Sequence, residues 1–251
     1  MNQSIQTPEK KSSVMCQYYD CVQQSVYGPA YAELTSATLH TMQEIVPTGS
    51  TILDFGAGTG RLSLPLCDRG YNSVAIEPSV GMLSVLKQKM ESQDKTIPTY
   101  NCSISEYKGE KGDLALAVEV LDHIIEEDDM RAALSNISKH LNDGGYLLFD
   151  LKDQHYFQNR CDEENLTGDL TQYCTLEPTP QANVYLYTEE CAGSINGEDF
   201  EYSDSFNLRD WKWQELDAML NEVGLVDTGR ELTELNGFGS TYRLYQKRAN
   251  H

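Results

Sequence analysis

The stretch Thr51–Arg61 reads TILDFGAGTGR, a short apolar run followed by glycine at every second position. A strand that ends in such a turn lets a ligand approach the backbone and the start of the next helix. The spacing excludes a nucleoside-triphosphate loop, because Arg61 and Leu62 stand where that loop needs Lys and then Ser or Thr. It also departs from the Gly-x-Gly-x-x-Gly of dinucleotide folds, whose third glycine would fall at position 61.

Strand-like and helical stretches alternate regularly along the chain around this turn. From residue 50 to about residue 152, short β-rich runs alternate with amphipathic helical stretches. Such alternation is typical of a doubly wound, parallel sheet with helices on both faces. Helices are also predicted before the turn, from residue 14 to residue 46, and the fully apolar run 114–118 predicts a strand that is covered on both sides.

The alternation of strand-like and helical patterns changes along the chain, and these changes predict four parts. We expect a disordered tail at residues 1–13, then N-terminal helices with a cofactor-binding α/β core at residues 14–152. Residues 153–207 read as a small antiparallel β insertion that caps the site, with a turn at Asn196-Gly197. Residues 208–251 are expected to supply a final helix and the strands that complete the core sheet.

Several motifs resemble the class I S-adenosylmethionine-dependent methyltransferases, in the order usual for that family. LDFGAGTG resembles the family's LDLGCGTG, and residues 75–83 resemble its hydrophobic-Asp/Glu-x-Ser-x-x-Met-Leu. Residues 112–123 resemble its fourth strand and loop, and residues 141–149 resemble its Leu-Lys-Pro-Gly-Gly and fifth strand. The resemblance covers roughly residues 50–152, more weakly 211–226. It implies a Rossmann-like sheet, mainly parallel with an antiparallel last strand, and S-adenosyl-L-methionine as cofactor.

The resemblance also assigns cofactor contacts. Glu77 ends the second strand, where a carboxylate can accept hydrogen bonds from both ribose hydroxyls. Asp54 either contacts the cofactor's amino group or organises the amides of the turn. Cys102 and Ser103 stand where the family often has an Asp for the adenine amino group, which is a departure. The expected contacts are Tyr19, Asp54, Gly56, Ala57, Gly58, Gly60, Glu77, Pro78, Met82, Cys102, Ser103, Ile104 and Glu119.

Candidate catalytic residues follow the fourth strand. His123 can take a proton from an acceptor near neutral pH, and Asp122 can assist as a second base. The alternatives are that His123 packs on its loop and that Asp122 is a helix cap. Glu119 faces either the sulfonium and the substrate or the solvent. We expect proximity to be the main catalytic effect, and no metal, because no metal-ligand spacing is present.

The charge and composition of the chain restrict its possible binding partners. The formal net charge of -20 among 251 residues repels phosphate backbones, so we expect neither a nucleic acid nor a membrane as partner. The N-terminus has no apolar stretch behind its lysines, and the seven cysteines form no Cys-x-x-Cys pair. We therefore expect a cytoplasmic protein with reduced thiols. Whether it is a monomer or a homodimer is left open.

The sequence favours a small-molecule acceptor that is methylated on nitrogen or oxygen. The fourth-strand loop, residues 118–121, lacks the Asn/Asp-Pro-Pro-Tyr/Phe of enzymes that methylate nucleic-acid or glutamine nitrogens. The insertion at residues 153–207 resembles the cap of small-molecule methyltransferases. The alternatives are a protein or RNA methyltransferase and a non-catalytic S-adenosylmethionine-binding protein, whereas Arg61 disfavours a nicotinamide oxidoreductase.

Overall fold

The structure is a computed structural model that describes residues 13–158, 163–167, 170–235 and 237–249, the second of these ranges by its backbone alone. Most of the predicted N-terminal tail therefore lies outside the described residues, and Ser13 begins the first helix. No helix in these ranges is both long and apolar enough to cross a bilayer.

The described residues form two sheets. Their strands in chain order are β1 (Thr51–Phe55), β2 (Asn72–Ile76), β3 (Thr99–Tyr100), β4 (Gly112–Ala117), β5 (Leu141–Lys152), β6 (Glu163–Thr167), β7 (Leu170–Pro178), β8 (Val184–Ile195), β9 (Glu198–Arg209), β10 (Leu225–Asp227) and β11 (Ser240–Lys247). The helices are α1 (Ser13–Tyr27), α2 (Pro29–Ile45), α3 (Ser63–Asp68), α4 (Val80–Ser92), α5 (Glu127–His140), α6 (Gln154–Gln158) and α7 (Trp213–Glu222).

The larger sheet has the strand order β3-β2-β1-β4-β5-β11-β10. Strands β1 to β5 run parallel to one another, and β11 pairs antiparallel with β5. This arrangement confirms the predicted doubly wound, mainly parallel sheet with an antiparallel last strand. The strand order reverses at β1, with β2 and β3 on one side of it and β4 and β5 on the other. Ligand-binding loops are expected to converge at the carboxyl ends of β1 and β4, where the order reverses.

Strand β4 shows why the sheet is covered on both faces. Leu114 and Leu116 pack into an apolar cluster with residues of α2, α3 and β11, whereas Ala115 and Ala117 pack into another with residues of α5 and α7. Successive side chains of a strand point to opposite faces, so a fully apolar run needs apolar partners on each. The helices of both layers thus hold the carboxyl ends of the strands at a fixed edge.

The sequence predicts that Asn142-Asp143-Gly144-Gly145 ends the helix before the fifth strand, but in the structure these residues form a bulge inside that strand. Helix α5 ends at His140, and β5 begins at once with Leu141. The register between β4 and β5 shifts in this region, and Gly144 has a φ of 77°. Glycine adopts this conformation without strain, so the strand accommodates the Asn-Asp-Gly-Gly sequence as a bulge.

The smaller sheet is antiparallel, with the order β6-β7-β8-β9. The predicted turn at Asn196-Gly197 is confirmed, with φ values of 55° and 82° that suit a tight hairpin. The alternation of the sequence predicts strands over residues 184–188 and 200–206. The strands of the structure are longer, since β8 continues to Ile195 and β9 runs from Glu198 to Arg209. We call this sheet the capping sheet. It contacts α1, where Tyr18 stacks on Phe200 with ring centroids 4.1 Å apart.

Candidate functional site

A cavity of about 560 Å³ lies at the carboxyl ends of β1, β2 and β4. Its walls come from the glycine-rich turn after β1, the ends of β2 and β4, helix α1 and one face of the capping sheet. Ligands bind at this edge in open α/β sheets. The residues of the sequence prediction that line it are Tyr19, Gly56, Ala57, Gly58, Glu77, Pro78, Met82, Cys102, Ser103, Ile104, Glu119, Asp122 and His123.

Asp54 and Gly60 lie behind the wall rather than on it. Asp54 is buried and accepts a hydrogen bond from the Ser63 hydroxyl, and burial raises the pKa of this carboxyl to about 6. The space in which Gly60 would carry a side chain is filled by Leu86 of α4. Both residues thus support the turn from within the fold, and their contact with a cofactor stays a prediction.

Glu77 joins the glycine-rich turn to the next helix. Its Oε2 accepts a hydrogen bond from the Gly58 amide and its Oε1 accepts one from the Ser79 amide, each at 2.8 Å. The side chain is buried at the cavity wall. A carboxylate oxygen has two lone pairs, so each oxygen retains the capacity to accept a hydroxyl of a ribose. The geometry thus fits a nucleoside in this half of the cavity.

The wall beside Glu77 suits an aromatic base. Met82 and Ile104 are buried apolar residues on the cavity, and Pro78 lines it next to Glu77. Ser103 donates its hydroxyl to Glu106 at 2.8 Å, and its oxygen can still accept a hydrogen bond from an amino group. Although Cys102 and Ser103 replace the Asp that the family often has here, the Ser103 oxygen can therefore accept a hydrogen bond from an adenine amino group.

Glu119 occupies the centre of a charged cluster that the sequence prediction did not contain. Arg61 Nη2 lies 3.0 Å from its Oε2, and Lys152 Nζ lies 3.4 Å from its Oε1. Burial alone would raise the pKa of Glu119, but the charges of Lys152 and Arg61 outweigh it, so the pKa is lowered. The backbone of Glu119 has a φ of 60°, and its amide donates to Asp150 Oδ1 at 2.6 Å.

Asp150 provides a pH-dependent prediction. Burial raises the pKa of its carboxyl from 3.8 to about 6. Its contribution to stability is therefore present below pH ~4 and is lost as the pH rises through ~6. Asp150→Asn keeps an oxygen for the Glu119 amide and removes the charge. Between pH 4.5 and 7, as measured by urea unfolding, we expect the variant to gain about 1–3 kcal/mol relative to the wild type.

The control for this prediction is the exposed Asp128→Asn, which makes the same charge change outside the cavity. A constant difference in unfolding free energy between Asp150→Asn and the wild type across this pH range would show that Asp150 does not titrate as inferred.

The capping sheet and α6 supply an aromatic wall opposite the glycine-rich turn. Tyr156 comes from α6, Tyr187 from β8 and Phe206 from β9. His123 lies against this wall, with its ring centroid 5.0 Å from that of Phe206. No sequence motif marked these aromatic residues. The available signal was that residues two apart on a strand share a face, which applies to Tyr187 and Glu189.

Asp20 holds helix α1 against the glycine-rich turn through polar contacts. The Thr59 hydroxyl donates to Asp20 Oδ1 at 2.5 Å, and Lys89 of α4 pairs with Oδ2. Met15, Tyr19 and Gln23 of the same helix line the cavity. A loss of these contacts would therefore loosen one wall of the site.

We expect Asp20→Asn to speed amide hydrogen exchange in α1 about fivefold, because a partly exposed charged contact of this kind contributes about 1 kcal/mol. Asp68→Asn is the matched control, because Asp68 pairs with Lys95 at 2.8 Å away from the cavity. Equal exchange rates in α1 for both variants would contradict a fastening role for Asp20.

Comparison with known proteins relates part of the chain to a methyltransferase domain. Residues 53–147 match the model of a methyltransferase domain. A Geobacillus sp. (strain WCH70) protein, named provisionally as a methyltransferase, is 32% identical over 114 residues, which are 43% of this chain and 46% of that protein. The chain thus spans less than half the length of the curated relatives it matches.

Solved structures with the same fold cover almost the whole chain. A S-adenosylmethionine-dependent methyltransferase from Clostridium acetobutylicum ATCC 824 has a TM-score of 0.79 at 17% identity and covers 92% of this chain and 98% of its own. CalS10, an amino pentose methyltransferase from Micromonospora echinaspora, has a TM-score of 0.71 at 18% identity, with 92% and 97% covered. At these identities the likeness shows the fold.

Proposed function

We propose that the chain is a class I S-adenosylmethionine-dependent methyltransferase, which the match of residues 53–147 to a methyltransferase domain and the shared fold support. In this proposal it transfers a methyl group from S-adenosylmethionine to a nitrogen or oxygen of a small molecule. The observation that carries the proposal is the cavity itself. It joins a half shaped for a nucleoside, around Glu77, to a half with an aromatic wall, around Tyr187 and Phe206.

The half around the glycine-rich turn would hold the cofactor. Glu77 would accept the ribose hydroxyls, and Met82 and Ile104 would pack on the faces of the adenine. Tyr19 of α1 and Glu119 line the region between this half and the capping sheet. When bound there, S-adenosylmethionine supplies a methyl group on a positively charged sulfur, which an aligned acceptor displaces.

The half under the capping sheet would orient the acceptor and exclude water. Holding an acceptor in line can lower the barrier by ~7–11 kcal/mol, so alignment is the main contribution that we assign to this chain. His123 lines this half beside Phe206, where it would take the proton of a hydroxyl acceptor. Asp122 is buried on the same wall and would be the second candidate base.

A small acceptor fits this site better than a polymer. The aromatic wall faces a cavity that α1 and the capping sheet cover, and the chain as a whole carries a net charge of -20. A nucleic acid needs a positively charged surface. The fold shared with an amino pentose methyltransferase also supports a small polar acceptor.

Calorimetric titration with S-adenosylmethionine, S-adenosylhomocysteine and NAD tests the cofactor. We expect micromolar binding of the two sulfur compounds and no binding of NAD. A well-folded protein that binds neither sulfur compound would overturn the proposal.

The acceptor class is tested by the release of S-adenosylhomocysteine in the presence of pooled amino sugars and small alcohols, or of RNA or protein. Turnover with a small-molecule pool is the expected result. Turnover with RNA or protein alone would replace the small-molecule acceptor with a polymer. Tight cofactor binding without turnover in any pool would favour a non-catalytic binding protein.

A further inference from the structure

Two buried carboxylates on the cavity wall form no close ion pair with any residue that the structure describes. Asp122 and Glu189 are 5% and 4% exposed, and both line the cavity. Among the ion pairs of the described residues, none involves either of them. Buried charges in folded proteins are ordinarily paired, because taking them out of water is costly. The cavity therefore lacks positive charge at this wall.

The lysine and arginine of the cavity wall form no close ion pair with Asp122 or Glu189. Within the described part of the chain, Arg61 and Lys152 are the only Lys or Arg residues on the wall. They contact the two carboxylate oxygens of Glu119, at 3.0 Å and 3.4 Å. Lys152 also interacts electrostatically with Asp122, at a longer range than its contact with Glu119. The wall nevertheless carries more carboxylates than cations, so the cavity keeps an excess of negative charge.

The two carboxylates differ in their hydrogen bonds. Glu189 accepts hydrogen bonds from the hydroxyls of Tyr202 and Tyr187, the latter at 3.4 Å. Asp122 has no side-chain hydrogen bond to any residue that the structure describes, although it is buried. Hydroxyl donors are neutral and leave the charge of Glu189 in place. A ligand that supplies both positive charge and N–H donors would satisfy both side chains.

Aromatic rings lie around the same space. Tyr156, Tyr187 and Phe206 line the cavity with the two carboxylates. Burial raises the pKa of Tyr156, and the charge of Asp122 adds to this although Lys152 opposes it. Burial and then the charge of Glu189 raise the pKa of Tyr187. The rings therefore remain neutral, and neutral aromatic faces attract ammonium ions.

We propose that the acceptor is an amine, bound as its ammonium ion between Asp122, Glu189 and the rings of Tyr156, Tyr187 and Phe206. Before methyl transfer the ammonium ion gives one proton to His123 or Asp122, the two candidate bases, which frees the lone pair of the nitrogen. The proposal rests on the proposed function and narrows its nitrogen-or-oxygen acceptor to an aliphatic amine. Asp122 and Glu189 would recognise the charge and the N–H groups, and the rings would enclose the carbon atoms beside the nitrogen.

Three probes of one shape test the charge preference: cyclohexylammonium, cyclohexanol and cyclohexanecarboxylate. Binding to the full chain with S-adenosylhomocysteine present is measured by ligand-observed nuclear magnetic resonance at pH 7.5. We expect cyclohexylammonium to bind at least tenfold more tightly than cyclohexanol, and the carboxylate not to bind. Equal affinities of the ammonium and the alcohol, or preference for the carboxylate, would overturn the proposal.

Matched variants locate the site. Asp122→Asn and Glu189→Gln are each expected to weaken cyclohexylammonium binding at least tenfold and to change S-adenosylmethionine affinity less than twofold. Asp128→Asn, exposed and outside the cavity, should change neither. If either carboxylate variant weakened cofactor binding and spared the ammonium, that carboxylate would belong to the cofactor and the proposal would fail.

The wild-type probe comparison does not depend on how the variants fold. Repeating it without S-adenosylhomocysteine separates this inference from the proposed function. Ammonium preference in a protein that does not bind S-adenosylmethionine would overturn the proposed function alone. Cofactor binding without ammonium preference would overturn the amine inference alone.

Discussion

Glu77→Ala is expected to weaken S-adenosylmethionine binding by more than tenfold. The variant would lose the acceptor for the ribose hydroxyls and would also free the amides of Gly58 and Ser79, which Glu77 holds at 2.8 Å. A hydrogen bond to a charged group contributes about 1.5–3 kcal/mol, and about 1.4 kcal/mol is tenfold in affinity. Calorimetric titration with S-adenosylmethionine measures the effect.

Two variants make this result specific. Glu77→Gln keeps the shape and one acceptor oxygen, so its affinity should fall between those of the wild type and Glu77→Ala. Glu91→Ala removes the same charge from an exposed position of α4 and should leave the affinity unchanged. An unchanged dissociation constant in Glu77→Ala would remove the ribose assignment.

Gly60→Ala is expected to lower the free energy of unfolding by about 2–4 kcal/mol. The residue has a φ of 91°, and an added Cβ would overlap Leu86 Cδ1 and lie 3.2 Å from Leu64 Cδ1. Leu86 is fully buried. Strain at positive φ and overpacking of a core each cost about 1–3 kcal/mol. Urea unfolding monitored by circular dichroism measures the loss.

Gly224→Ala separates the two causes. Gly224 has a φ of 79°, and its added Cβ would meet nothing within 4 Å, so this variant should suffer the backbone strain alone. The excess loss in Gly60→Ala then measures the packing against Leu86. Equal losses in both variants would show that Leu86 moves aside and that packing does not explain the glycine.

The core sheet could be predicted because its signals are local. Periodicity predicts a strand over Asn72–Ile76 and a helix over Val80–Ser92, and both elements have these bounds in the structure. A short apolar run and a capped amphipathic pattern each specify their own element. The capping strands were predicted too short. Their outer parts, such as residues 189–195, carry polar residues on a sheet with one solvated face, so composition alone does not mark them as strand.

The site was predictable where a motif marked it and not elsewhere. Glu77 follows a strand within a recognisable pattern, and the structure places it on the cavity. The contacts of Glu119 with Arg61 and Lys152 join residues far apart in the chain, and no spacing rule reports such pairs. Asp54 and Gly60 belong to the motif, but their neighbours Ser63 and Leu86 become visible only when the helices are packed.

The residues proposed to bind the cofactor and most of those proposed to bind the acceptor come from different segments of the chain, because the capping sheet follows the cofactor-binding core. The nucleoside wall is encoded before Lys152, whereas Tyr156, Tyr187, Glu189 and Phe206 come from the stretch between β5 and α7. A protein built in this way can change most of its acceptor wall by exchanging one contiguous segment, while Asp122, His123 and the cofactor half are inherited unchanged. The stacking of Tyr18 on Phe200 sets the condition for such an exchange, because the facing surface of α1 must change with the segment.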